Sequence, residues 1–176
     1  MRTCKSCKAK FDPNYNTMQK ACSVRCALDL AKHDKERKRK AETRQMRSEL
    51  RENDRSYWMK AAQTEFNKWV RLRDKDLACI SCGRHHQGQY HAGHYRTRGA
   101  NPELSLEPLN CHKQCAPCNN HKSGDIVNYR INLVNRIGQD KVDWLEGPHK
   151  PKKYTIADLK EIRAHYKALI KSLSVD

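Results

Sequence analysis

The sequence predicts an α+β fold in which metal-bound cysteines, rather than one large apolar core, hold a short hairpin among helices. Three observations predict it. Eight of the nine cysteines stand in close pairs, at 4 and 7, 22 and 26, 79 and 82, and 115 and 118. A strand-like segment, Gln89-Tyr90-His91-Ala92-Gly93-His94-Tyr95, lies between the last two pairs. Apolar residues recur at helical spacing on both sides of that block.

Composition bounds the reading. The 176 residues suit one domain of ordinary size with appendages, and a chain 32% charged and 37% hydrophobic is lean for a single large core. A surplus of 36 Lys and Arg over 20 Asp and Glu gives a formal charge of +16, the electrostatic footprint of a protein that meets phosphate backbones. No run approaches the ~18 apolar residues of a membrane span. The first thirty residues are polar and carry cysteines, without the apolar centre of a signal peptide. The expected setting is therefore soluble, away from membranes, inside the cell that makes the protein. There, close cysteine pairs favour metal over disulfides.

The elements follow in order. Residues 1–26 hold Cys4-x2-Cys7 and Cys22-x3-Cys26, the ligand spacing of a small zinc knuckle, with redox cysteines as the alternative. Residues 27–55 turn into Ala, Lys, Glu, Arg and Gln without Gly or Pro, which predicts a charged linker helix with little to bury. Its densest stretch, Lys35-Glu36-Arg37-Lys38-Arg39-Lys40, reads either as a solvated face or as a sequence-independent phosphate contact. Residues 56–176 form the remaining domain. Tyr57, Trp58, Ala61, Ala62, Phe66, Trp69, Val70 and Leu72 predict an amphipathic helix over 54–75, its aromatics serving the core. Ile126 to Ile137 predicts a helix ended by Gly138, and Val142, Trp144 and Leu145 a short one ended by Gly147-Pro148. Thr155 followed by Asp158 caps a final helix striped by Ile156, Leu159, Ile162, Tyr166, Leu169, Ile170 and Leu173.

The central block, 76–126, carries the chemistry. Cys79-x2-Cys82 and Cys115-x2-Cys118 supply four thiolates for a structural zinc, with Cys111 the odd cysteine and an alternative to Cys115. The spacing suggests a hairpin between Cys82 and Cys115 whose second strand is 89–95, and a helix opened by the second knuckle. A histidine at a strand end, an asparagine in the following loop and a metal ligand on the helix is the order of the HNH family, also called His-Me finger or ββα-metal nucleases. The block resembles that family, with His94, Asn110 and Asn119 in the three places. Cys118-Asn119-Asn120-His121-Lys122 is similar to the family's Cys-His-x-x-Lys with Asn for His, as in the endonuclease VII group.

The resemblance implies phosphodiester hydrolysis, which needs a base for water, a divalent cation for the charge on phosphorus, and stabilisation of the departing 3′ oxygen. His94 would be the general base, an imidazole whose ordinary pKa of ~6.5 suits neutral pH. Asn110 would orient its ring by a hydrogen bond. Asn119 would offer a carboxamide oxygen to Mg²⁺ or Mn²⁺. Endonuclease VII-like sites place an aspartate just before the base, where this chain has Gly93. His91 is the substitute ligand expected here, and its nitrogen would shift preference toward Mn²⁺. Arg96, Arg98, Lys113 and Lys122 flank the block as candidate DNA phosphate clamps. His85, His86, His112 and His121 are spare histidines.

The wider pattern adds a second resemblance. His91-Ala-Gly-His-Tyr-Arg-Thr, His112-Lys-Gln-Cys, Cys118-Asn-Asn-His-Lys-Ser-Gly, the N-terminal quartet, the charged helix and Ser56-Tyr57-Trp58 together resemble the NinG, or Rap, proteins of lambdoid phages. That implies an endonuclease of phage recombination acting on branched DNA such as Holliday junctions and D-loops. It would work in the cytoplasm of the bacterial host, with other phage recombination proteins as partners. A homodimer would suit two symmetric cuts. The competing reading is a non-catalytic, zinc-containing DNA-binding adaptor, which needs the cysteines but not His94, Asn110 and Asn119 together.

Overall fold

The computed structural model describes residues 1–173 and divides the chain into two compact units, Met1–Asn53 and Asp54–Asp176. The first unit is built on its cysteines. Strands β1 (Arg2–Thr3) and β2 (Lys10–Phe11) pair antiparallel around the first knuckle, and helix α1 runs Val24–Glu52. Ser23 caps α1 by accepting from the Cys26 amide, so the helix begins before Cys26, and the last cysteine of the quartet stands in its first turn. Knuckle and helix thus share residues that the sequence assigned to separate segments. No residue of α1 is buried. Its visible support is local, such as the exposed Glu36–Lys40 and Asp34–Arg37 pairs.

The second unit is three layers thick. Helix α2 (Arg55–Arg73) is capped by Asp54 and buries Ala62, Phe66 and Val70 at helical spacing, as the periodicity predicts. Helix α5 (Ile156–Ser172) packs along it through Leu159 and Tyr166, and its Thr155–Asp158 pair forms a reciprocal capping box. In the middle lies a two-stranded antiparallel ribbon, β3 (Tyr90–His94) and β4 (Cys111–Cys115), in register His91 to Gln114 and His94 to Cys111. Ala92 and Cys111 face the α2 layer. Behind the ribbon, α3 (Ile126–Ile137) and α4 (Gln139–Glu146) bury Tyr129, Leu133, Val142 and Leu145 with Ile80, Tyr95 and Leu104.

The hairpin differs from the one expected. Residues 83–89 form no strand; the partner of β3 is β4, which ends on the first cysteine of the second knuckle. That pairing runs the ribbon directly into the second cysteine pair, with Tyr90 opposite Cys115. The helix after the knuckle is also interrupted. Pro117–His121 makes one π-helical turn, and Ser123, Gly124 and Asp125 take left-handed backbone before α3 starts.

Candidate functional site

Each cysteine quartet could hold one metal ion. The sulfurs of Cys4, Cys7, Cys22 and Cys26 lie within 4.8 Å of one another, as do those of Cys79, Cys82, Cys115 and Cys118. In both, a backbone amide donates to the first sulfur, Cys22 to Cys4 at 3.4 Å and Cys115 to Cys79 at 3.3 Å. Burial pushes the Cys4 thiol up, but amides of Cys22, Cys7 and Ser6 outweigh it and bring the thiol down to about 6. Cys79 is lowered in the same way, by Cys115, Cys82 and Ser81 against burial. Four clustered thiols, the first of each quartet already favoured as a thiolate, are a donor set consistent with structural zinc. Cys111 is excluded from the second set. It is fully buried against α2, and burial pushes its thiol far above the ordinary range.

Beside the second quartet, a cleft of about 320 Å³ is lined by Asn67, Ala92, His94, Thr97, Arg98, Asn119, Ser123, Gly124 and Ile126. It brings together the expected base, the expected oxygen ligand and one of the four expected phosphate clamps. No carboxylate stands in its lining. His94 Nε2–H donates to the Ser105 carbonyl at 2.9 Å, which leaves Nδ1 as the basic nitrogen, with Cys111 Sγ 3.6 Å from it. Burial lowers the imidazole pKa against the pull of the Ser105 carbonyl, so the ring is neutral at physiological pH.

Asn110 does not touch that ring. Wholly buried, it accepts from the Arg96 amide at 2.7 Å and donates to the carbonyls of Arg96 and Leu104, each at 3.0 Å. It closes the loop between β3 and β4, and the loop presents the Ser105 carbonyl. The expected asparagine-to-imidazole bond is therefore corrected to a backbone relay. Sequence could not name Ser105, because the acceptor is a main-chain oxygen any residue carries.

His91 stands three residues before His94, so the alternation of the strand puts the two on opposite faces. His91 does not line the cleft, although its Nε2 is buried without a hydrogen-bond partner. The position between them has no room for a ligand. A Cβ on Gly93 would lie 2.1 Å from Gln114 Oε1, and Gln114 is pinned by donating to Ser81 Oγ and the Gly124 carbonyl. The Gln114 side chain, folded across the strand, occupies the space that a side chain at residue 93 would take. For a divalent ion, the cleft offers only one of the two expected donors, Asn119; His91 lies on the other face of the ribbon, and its expected place as a ligand beside Asn119 is corrected. The Asn119 amide nitrogen is engaged by Asn120, which leaves Oδ1 for a cation.

The flanking cations separate. Arg98 is exposed and lines the cleft, and Lys122 is exposed at the end of the π turn. Arg96 is half-buried with Nε enclosed and unpartnered. Lys113 is not available to DNA. It is 5% exposed, with Nζ donating to the Lys75 carbonyl at 2.8 Å and lying over the Tyr90 ring. Pairing with Ala92 turns it toward the interior, a consequence of the strand that its charge concealed. Among the spare histidines, His86 Nε2 lies 3.1 Å from Cys82 Sγ, and His112 is occupied by the Leu109 carbonyl and Arg73.

Sequence reasoning missed Asp74, which ties α2 to β4. It is 2% exposed, holds Arg73 at 2.7 Å and accepts from the Lys113 amide at 3.0 Å. Burial opposes its charge, but His112, Arg73 and that amide keep the carboxyl far below its usual range. An Arg-Asp pair at a helix end carries no signal that distinguishes it from surface charge.

Comparison with known proteins gives one family. The model described as Bacteriophage Lambda NinG protein matches residues 1–175. The chain is 40% identical to protein ninG of Escherichia phage 933W over 98% of this chain and 93% of that one. It is 50% identical to protein ninG of Escherichia phage lambda over 68% of this chain and 58% of the relative. Protein ninG of Salmonella phage P22 is 49% identical, over 68% and 59%. No solved structure matches.

Proposed function

This chain belongs to the NinG family of bacteriophage proteins, and we propose that it is a divalent-metal-dependent DNA endonuclease of phage recombination. Its substrate is branched DNA such as Holliday junctions and D-loops. The observation that carries the reading is the convergence of His94, Asn119 and Arg98 on one cleft without a carboxylate in its lining. A cleft of that charge admits a phosphodiester without repelling it. The order of strand histidine, loop asparagine and post-knuckle asparagine supports the ββα-metal (HNH) assignment of the core.

The steps follow from the side chains. Ser105 fixes the tautomer of His94, whose Nδ1, on giving up the Cys111 S–H it accepts at rest, takes a proton from water as the oxygen attacks phosphorus. Arg98 binds the non-bridging oxygens. The bond to the 3′ oxygen breaks, and that oxygen takes a proton from solvent water as it leaves. Asn119 Oδ1 would hold the cation in the cleft, which when bound offsets charge on phosphorus and on the departing oxygen. The proposed setting is the host cytoplasm, with a second copy of the chain making the symmetric cut and other phage recombination proteins as partners. Among the described residues, no helix is long and apolar enough to cross a membrane.

The test is incubation of the purified protein with a labelled four-way junction and a matched linear duplex, with and without Mg²⁺ or Mn²⁺, beside His94→Ala and His94→Gln. Metal-dependent cleavage of the junction, lost by about 10²-fold or more in both variants, is expected. Absence of cleavage, or undiminished cleavage by either folded variant, leaves the DNA-binding adaptor as the better description.

A further inference from the structure

A second cleft, of about 500 Å³, adjoins the first and shares Asn67 and Arg98 with it. Its remaining lining comes from one face of α2: Arg55, Ser56, Met59, Lys60, Gln63 and Thr64. It too contains no carboxylate. Together they make one trench in which Lys60 and Arg55 are exposed at the far end, Arg98 is exposed at the joint, and His94 lies within the near end.

The joint is fixed. Gln63, 5% exposed, donates its amide to Asn67 Oδ1 at 2.8 Å, which leaves the Asn67 amide N–H groups as donors toward the trench. Arg55 is held by its Nε on the Tyr154 carbonyl at 2.8 Å, leaving the outer guanidinium nitrogens to donate. Ser56, Lys60, Gln63 and Asn67 recur at helical spacing. They cover about 16 Å, from 11 residues at 1.5 Å each, long enough to meet more than one successive phosphate of one strand. Fixed amide donors and cations without acids form a surface for a polyanionic backbone.

We propose that this face of α2 is a strand guide: it binds the sugar–phosphate backbone of the strand to be cut and delivers it to His94, with Lys60 and Arg55 on the distal phosphates and Asn67 at the turn into the cleft. It rests on the nuclease reading for what happens at His94. Its test needs no cleavage, so the two can fail separately.

Binding of the full chain to a labelled four-way junction and a linear duplex is measured without added Mg²⁺ or Mn²⁺ and without chelator across a salt series, in a His94→Ala background. Adding Lys60→Ala weakens binding about three- to tenfold near ~0.1 M salt and makes the slope of log K against log salt shallower by about one, on both DNAs. Lys60→Arg keeps affinity and slope. Unchanged affinity in Lys60→Ala overturns the proposal, as does a loss with unchanged slope or one that Lys60→Arg does not prevent.

Discussion

Replacing Asn110 separates two roles that look alike in sequence. If the residue oriented the His94 ring directly, its loss would impair catalysis and leave the fold intact. The structure instead gives it three buried hydrogen bonds, all to the backbone of the loop between β3 and β4. Asn110→Ala strands one N–H and two carbonyls; at about 1 kcal/mol for each lost bond the cost is ~3 kcal/mol, and more if the groups stay dry. For a unit of this size that lowers the thermal midpoint by roughly 10 °C. Asn110→Asp destabilises at least as much, because it keeps the acceptor for Arg96 but turns a carboxylate toward two carbonyls. Urea unfolding of the two variants checks the magnitude, and cleavage of a four-way junction checks the consequence, a fall in kcat as the Ser105 carbonyl loses its place. An Asn110→Ala protein with the parental urea midpoint would falsify the relay.

Three other outcomes are expected. Removing metal with a chelator under reducing conditions collapses both units, since ligand binding is part of their folding free energy, and Cys79→Ala or Cys118→Ala does the same to the second alone; metal content and circular dichroism read it, and a metal-free chain with native spectra contradicts it. Gly93→Ala costs about 1–3 kcal/mol, because its methyl meets the pinned Gln114, and Gln114→Ala in the same chain recovers part of that loss in denaturant melts; an unchanged midpoint in Gly93→Ala argues against the close approach. Acid weakens the second unit in two stages. His94 and His112 have folded pKa values below the ordinary ~6.5, so the unfolded chain binds more protons below that pH and stability falls there. The lowered Asp74 contributes stability above the ordinary ~3.9, lost as pH falls toward its folded value. A urea midpoint that stays flat from pH 7.5 to 5 counts against the buried neutral histidines.

Local chemistry decided much of this protein. Cysteine spacing defined both metal quartets, because two short knuckles converge by their own turns. Periodicity and capping residues placed α2, α3, α4 and α5, since an amphipathic stripe and a Thr155–Asp158 box act over a few residues. The family resemblance implied His94 and Asn119 as partners, and they do share a cleft. What the sequence left open depends on contacts between segments far apart in the chain. Pairing β3 with β4 turned Lys113 inward and set His91 on the face opposite His94. A main-chain oxygen of Ser105, with no side-chain signature, holds the imidazole, and Asn110 works through that loop. Gln114 fills the space where a ligand would stand at residue 93. Residue types fix which atoms can bind a metal or a proton; only the packing of ribbon, loop and helices fixes which of those atoms meet.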